Sequence, residues 1–214
     1  MSKVAVITGA SRGFGLTLAR EFAANGWKVI GTGRSERPSD FPEDGTYEQF
    51  DASDAAACAD FWKSLQNSDP GTTLCLVNNA GGYVSGGLLE VKLEDYESQM
   101  KSCYFSSVYM TRGLVSVAAQ ARVINVISTS ALAAHKNNSA YGAAKAAEMH
   151  FFQAVQQEFT PQQYRITNLY PSSIASQGPD PHAIQPADLA AFVRAQAELT
   201  TSYYLRDVTL YPAQ

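Results

Sequence analysis

The sequence predicts an α/β fold: a doubly wound parallel sheet of about seven strands with helices on both faces. Three observations predict it. Short apolar runs alternate with helix-patterned stretches along the chain, the order expected of parallel strands joined by helical crossovers. Several of these runs are β-branched and apolar on both faces, as strands covered by helices on both sides must be. A glycine-rich turn, "TGASRGFG", separates the first run from the first helical stretch, at the kind of strand end where such sheets bind ligands.

The elements follow in order. "KVAVIT" (3–8) is the first strand, and a helix over roughly 13–25 follows the glycine turn. "WKVIGTG" (27–33) and "TYEQFD" (46–51) are the second and third strands, separated by the polar, proline-bearing loop "SERPSDFPEDG" (35–45). A helix over roughly 54–67 leads to "TLCLVNN" (73–79), and a long one over 94–119 leads to "RVINVIS" (122–128). A helix over 139–159 precedes "RITNLYP" (165–171). The surface loop "SQGPDPHAIQP" (176–186), a helix over 186–199 and the strand "DVTLYP" (207–212) complete the pattern. No repeat, low-complexity tract or long linker divides the chain, so residues 1–214 are read as a single domain, long enough for a sizeable core.

Composition narrows the function classes. The chain is 45% hydrophobic and 17% charged, with a formal net charge of −4, which argues against a broad nucleic-acid footprint. No apolar run of about 20 residues occurs, so no membrane span is expected. Cys58, Cys75 and Cys103 are odd in number and widely spaced, without a CxxC or Cys/His cluster. They are read as buried free thiols, with neither a disulfide framework nor a metal site. His135, His150 and His182 show no ligand spacing. "MSKVAVITGA" runs into a strand without a signal-peptide core, so a cytoplasmic location is expected. Tyr83, Phe151 and Phe152 are read as core or interface residues.

Two motifs carry chemistry. In "TGASRGFG", Gly9, Gly13 and Gly15 allow a tight turn and a close approach of phosphate to the helix N-terminus. No G-K-[ST] follows, which argues against a P-loop. The second strand ends at Thr32 and Gly33, followed by Arg34, where an acid would otherwise hold the ribose hydroxyls of NAD. A guanidinium pairs with a 2′-phosphate that a carboxylate would repel. Arg34, with Arg12 as a second cation, therefore indicates NADP(H), with NAD(H) as the alternative. In "SAYGAAKAAEMHFF" (139–152), Tyr141 and Lys145 lie four residues apart and share a helix face. Tyrosine is a weak base near ~10, and an adjacent ammonium is expected to lower that value.

These pieces, with "FDASD" (50–54), "NNAGG" (78–82), "NVIST" (125–129) and "YPSSIAS" (170–176), occur in an order that resembles the short-chain dehydrogenase/reductase family along nearly the whole chain. The resemblance implies a Rossmann-like fold and a set of roles. Tyr141 and Lys145 are similar to the catalytic Y-x-x-x-K pair, and Ser128 to the catalytic serine, with Thr129 and Ser130 as neighbouring hydroxyls. Gly9, Ser11, Arg12, Gly13, Phe14 and Gly15 would hold the cofactor phosphates. Asp51 and Ala52 would meet the adenine; Asn79, Ala80 and Gly81 would line the adenine–ribose side. Pro171 and Ile174 would lie beside the nicotinamide amide. Lys145 would also reach the nicotinamide ribose, and Tyr141 would exchange a proton with a carbonyl or alcohol.

The chain departs from the family pattern in places. The asparagine that the family ties to a proton-relay water falls on Cys103, or on Tyr104 one residue later. The usual Pro-Gly after the sixth strand is Pro171-Ser172, and only about ten residues separate Ser176 from Pro186, which implies an open or shallow site. The resemblance also implies a homodimer or homotetramer built on the helices starting near 94 and 139. The expected function is an NADP(H)-dependent oxidoreductase acting on a small or medium carbonyl/alcohol substrate. Its rival is an NADP(H)-binding regulatory or scaffold protein with little or no turnover.

Overall fold

Parallel pairing of short apolar strands builds the sheet. The structure is a computed structural model that describes residues 2–66, 72–176, 178 and 180–213. Its strands are β1 (Lys3–Thr8), β2 (Lys28–Gly33), β3 (Thr46–Gln49), β4 (Thr73–Asn78), β5 (Ala121–Val126), β6 (Tyr164–Pro171) and β7 (Asp207–Leu210). They stand in the order β3-β2-β1-β4-β5-β6-β7, and every adjacent pair is parallel. The chain thus winds outward from β1 to β3, then returns to place β4 on β1's other side. That reversal opens a crevice at the C-terminal ends of β1 and β4.

The helices are α1 (Gly13–Ala24), α2 (Ala55–Ser64), α3 (Leu93–Gln99), α4 (Ser106–Val117), α5 (Ser139–Glu158) and α6 (Pro186–Glu198). Each strand sends alternate side chains to opposite faces, and β1 shows the consequence. Ala5 and Ile7 join a core with Leu18 and Phe22 of α1 and Val193 of α6. Val6 joins the other core with Trp62 of α2, Met110 of α4 and Phe152 of α5. Asp54 caps α2 by accepting the N–H groups of Ala56 and Ala57. Pro186 begins α6, where its missing N–H costs nothing. The cysteines are free and buried; burial pushes the thiols of Cys58 and Cys75 up to about 12.

The helix predicted over 94–119 is not continuous. A π-helical turn, Met100–Phe105, separates α3 from α4. A π-helical turn uses the same residue types as an α-helical one, so nothing in the composition marks it. The helix predicted to end at 67 ends at Ser64, and residue 67 lies outside the described residues. So do 177 and 179 of the predicted loop 176–186. That loop is pinned where Ala175 N–H donates to Ile184 O at 3.0 Å and Ile184 N–H to Ser173 O at 2.8 Å. A 3₁₀ turn, Thr129–Ala131, follows β5 and places Ser128 just beyond the strand.

A polar ladder crosses four strands, from the C-terminal end of β4 to the first residue of β7. Asn78, Asn125, Asn168 and Asp207 are register partners on β4 to β7. Asn78 donates to Asn125 at 2.9 Å and to Thr111 of α4 at 3.1 Å. Asn125 donates to Asn168 at 2.8 Å, and Asn168 to Asp207 at 3.1 Å. Tyr170 adds its hydroxyl to Asp207 at 2.7 Å, and burial, together with that carboxylate, pushes its pKa up. Asn125 is fully buried and occupies the middle. Asn125→Ala should strip partners from Asn78 and Asn168 and cost about 3 kcal/mol, read as a lower urea midpoint with an unchanged m-value.

Candidate active site

The glycine turn leaves β1 with its backbone open to the crevice. Gly9 and Gly13 have φ of 67° and 55°, a region that residues with side chains rarely adopt. Gly15 has a different constraint: a Cβ there would lie 2.1 Å from the carbonyl oxygen of Gly9. Arg12 stands at the N-cap of α1 and gives no side-chain cap. The first N–H groups of the helix are left for an outside acceptor, at its positive dipole end. Thr8 Oγ1 accepts the N–H groups of Asn79 and Ala80, each at 2.9 Å, and Asn79 Nδ2 donates to Thr8 O at 3.0 Å. The ends of β1 and β4 are thereby tied across the crevice.

Two adjoining clefts occupy this edge. The first, about 840 Å³, is lined by Gly9, Ser11, Arg12, Gly13, Phe14 and Gly15. Arg34, Asp51 and Ala52 line it farther along, with Asn79, Ala80 and Gly81 of the β4 end. Arg12 and Arg34 are exposed, and neither guanidinium has a hydrogen-bond or ion-pair partner among the described residues. Thr32, at the end of β2, is fully buried. The carboxylate of Asp51 is engaged by Ser53 through its N–H at 2.9 Å and its hydroxyl at 2.8 Å. Glu94 and Glu97 of α3 also line the cleft.

The second cleft, about 650 Å³, is lined by Ser128, Tyr141, Lys145, Pro171 and Ile174. Phe14, Asn79 and Gly81 line both clefts, which makes them continuous. The residues that the resemblance gives catalytic or cofactor-binding roles therefore meet along one surface. Ser128 Oγ accepts the N–H of Ser130 at 3.1 Å. Ser130 Oγ accepts from Asn138 at 2.9 Å. Ser172, which replaces the expected glycine, has a buried hydroxyl without a partner among the described residues.

Tyr83, read as core or interface, is not core. It is 67% exposed, lines the second cleft and meets Tyr141 edge to face, centroids 5.1 Å apart. Phe152 is core, as expected. Of Cys103 and Tyr104, Cys103 is the one that lies beside Gly81, as Lys145 does. A Cβ built on Gly81 would lie 3.3 Å from Cys103 Sγ and 3.9 Å from Lys145 Nζ, so thiol and ammonium flank the same glycine. Cys103 donates to Gly82 O at 3.7 Å, while Tyr104 packs on Phe151.

The residue that sequence reasoning missed is Glu148. It lies three residues after Lys145 and is 1% exposed. Its Oε2 accepts from Lys145 Nζ at 2.7 Å, and its Oε1 accepts from Ser107 Oγ at 2.7 Å. Lys145 also donates to Val126 O at 3.0 Å. The signal was present: Tyr141, Lys145 and Glu148 recur at i, i+4 and i+7 on one helix face. Burial works to lower the Lys145 pKa, but Glu148, Cys103 and Tyr141 together outweigh it, and the net direction is upward. Burial pushes Glu148 up, opposed by Lys145 and Ser107. With both carboxylate oxygens engaged at 2.7 Å, the geometry is that of a charged pair.

Tyr141 corrects a sequence expectation. Its pKa lies above the ordinary phenol value: burial raises it more than Lys145 lowers it. Cys103 and Glu148 add to the rise, and a hydrogen bond from Ser128 opposes it. The ammonium does favour the phenolate, but sequence gives no measure of the desolvation that wins.

The fold and site define a class, and comparison with known proteins agrees. Residues 3–182 match the model of the short chain dehydrogenase family, and the chain belongs to that family of oxidoreductases. It is 27% identical, over 237 aligned residues, to the NADP-dependent 3-hydroxy acid dehydrogenase YdfG of Salmonella typhi, covering 98% of this chain and 94% of that one. It is 30% identical over 181 residues to the 3-oxoacyl-[acyl-carrier-protein] reductase FabG of Vibrio cholerae, covering 80% and 73% respectively. Among solved structures, serine dehydrogenase from Escherichia coli superposes with a TM-score of 0.84 at 25% identity, covering 98% of this chain and 97% of that one. No helix among the described residues is long and apolar enough to cross a membrane.

The buried pair makes a stability prediction. Lys145→Met would leave Glu148 buried with its carboxylate unpaired, raising its folded pKa farther above the unfolded value. A group raised in the folded state stabilises below its unfolded pKa and loses that contribution as pH rises through the folded one. Relative to the unmodified protein, Lys145→Met should therefore lose little stability at acid pH. The loss should grow above the ordinary carboxylate range to about 3 kcal/mol near neutrality. Urea unfolding across that range checks the slope.

Proposed function

We propose that the protein is an NADP(H)-dependent oxidoreductase that interconverts a carbonyl and an alcohol on a small or medium substrate, with Tyr141 as general acid/base. The observation that carries this reading is the continuity of the two clefts, one bearing the glycine turn and the other Ser128, Tyr141 and Lys145. The residues present fit a dinucleotide. Gly15 leaves a backbone cradle that a single Cβ would fill, and the uncapped α1 N-terminus suits a pyrophosphate. Arg34 and Arg12 are available to a 2′-phosphate. The buried, unpartnered Ser172 hydroxyl suits the carboxamide end. The relatives named above include one described as NADP-dependent.

When bound, the dihydronicotinamide supplies a hydride equivalent, and its oxidised form accepts one. The remaining work falls to this chain. Ser128 holds the substrate oxygen by a hydrogen bond, and Tyr141 exchanges a proton with that oxygen. Lys145 has one N–H beyond those given to Val126 and Glu148, and that donor serves the cofactor ribose. Tyr83 borders the substrate beside Tyr141. NAD(H) is the alternative cofactor. A homodimer or homotetramer would use the α4–α5 face, where Phe105 is 37% exposed and stacks on Tyr109. A cytoplasmic location fits the three free thiols. The intact Ser128–Tyr141–Lys145 set weighs against a binding protein without turnover.

NADPH should bind at least tenfold tighter than NADH, about 1.4 kcal/mol, and Arg34→Ala should erase most of that difference. Calorimetry with both nucleotides decides it, and equal affinities in the unmodified protein would exclude the assignment. Tyr141→Phe keeps the ring but removes the transferable proton. It should lower turnover at least ~10²-fold while cofactor affinity changes only a few-fold. A nicotinamide-absorbance screen over ketones, aldehydes and alcohols supplies the substrate. Unchanged turnover in the variant would defeat the mechanism.

A further inference from the structure

Lys145 and Glu148 are the only charged side chains that are buried among the described residues. Such a pair is poor value for stability alone, because desolvation offsets much of the attraction and apolar residues of similar size often do as well. Its position beside the reacting phenol suggests what it does instead. Lys145 Nζ lies 6.0 Å from the centroid of the Tyr141 ring and is the one cation bearing on that phenol. The other groups facing Tyr141 are Glu148 on the same helix, Cys103 from the π-helical turn, Ser128 after β5 and Tyr83 after β4. None of these carries positive charge. A lone ammonium would favour the phenolate. A carboxylate 2.7 Å from that ammonium makes the two a dipole, whose effect at the phenol is much smaller than that of a single charge.

We propose that Glu148 is a positioning residue that acts through Lys145: it binds the ammonium as a buried ion pair, withholds its charge from Tyr141 and keeps the phenol a proton donor, so that the site is built to reduce a carbonyl rather than to oxidise an alcohol. The inference deepens the reading above and rests on it for the direction of reaction. In reduction, a hydride from the dihydronicotinamide forms the new C–H bond, and the carbonyl π pair moves onto oxygen. That oxygen takes the phenol proton, so the phenol O–H bond breaks as the product O–H bond forms. The phenolate then regains a proton from solvent. In oxidation the phenolate must be present at the start, and this arrangement disfavours it. Ser107, which donates to the second carboxylate oxygen, holds Glu148 in place from α4.

The test follows Tyr141 itself and needs neither substrate nor cofactor. Near-ultraviolet absorbance of tyrosinate is titrated in the unmodified protein and in Tyr141→Phe, and the difference isolates Tyr141. The same difference is taken in a Glu148→Gln background, where the amide keeps shape and hydrogen bonding but lacks the charge. Tyr141 is expected to ionise no lower than the ordinary phenol value of about 10 in the unmodified protein. In Glu148→Gln its midpoint should fall by at least about one pH unit, a tenfold change in ionisation. Superimposable midpoints in the two backgrounds overturn the proposal. Should Glu148→Gln fail to fold, the unmodified protein still decides: a Tyr141 midpoint well below that of free phenol overturns it, and one at or above supports it. A positive titration without turnover would sink the enzymatic reading and leave this electrostatic one standing.

Discussion

The pairing of β1 with β4 is the constraint on which the rest depends. Because the sheet is parallel throughout, every strand ends at the same edge. The order reverses between these two strands, so the connections leaving them diverge and a crevice opens. Thr8, Asn79 and Ala80 close the bottom of that crevice with three hydrogen bonds of 2.9 to 3.0 Å. The glycine turn rises on one side and Asn79-Ala80-Gly81 on the other. Helix α5 then brings Tyr141 and Lys145 toward the β5 edge, where Val126 O accepts from Lys145. The glycine turn and the Tyr141–Lys145 pair are thus brought to one edge by the backbone course together with the Thr8 and Asn79 side-chain ties.

Much of this was legible in the sequence because it is local. A two-sided apolar strand, a glycine turn and a four-residue Tyr–Lys spacing are each visible within a few residues. What escaped depends on packing. The asparagine ladder joins positions 47 and 43 residues apart, and nothing marks those asparagines until three strands are set in register. The π-helical turn adds a residue without changing composition, yet it carries Cys103. Tyr83 looked like a core or interface residue because aromatic residues often are; its place in a loop after β4 puts it in the cleft. Glu148 was local but went unremarked on a long helix, since a sequence carries no burial. The titration of Tyr141 went astray for the same reason: attraction to Lys145 is inferable from spacing, whereas the desolvation that exceeds it is not.

The polar interior divides into two systems with different work. The ladder from Asn78 to Asp207 is neutral except at its edge and links its members across the sheet, with Thr111 anchoring it to α4. It fixes the relative heights of β4 to β7, on which the positions of Ser128 and Pro171 depend. The second system, Ser107–Glu148–Lys145, carries full charges and sits beside the Tyr141 phenol. The first sets where groups stand; the second sets what charge they bear. Both reach α4, the first through Thr111 and the second through Ser107, so one helix braces the frame and the chemistry together.

The buried ion pair also constrains how the chain can vary through descent. Losing Lys145 alone strands a carboxylate in the interior, and losing Glu148 alone strands an ammonium beside a phenol. Either single step meets a penalty that the other residue creates, so the two codons are epistatic although neither side chain is unusual by itself. A lineage leaves this arrangement most easily through an uncharged polar intermediate at 148, or by changes at both positions in close succession. Position 148 is then a place where inheritance is read jointly with 145, and a substitution there means something different in this chain than in a relative whose lysine stands without a counter-charge.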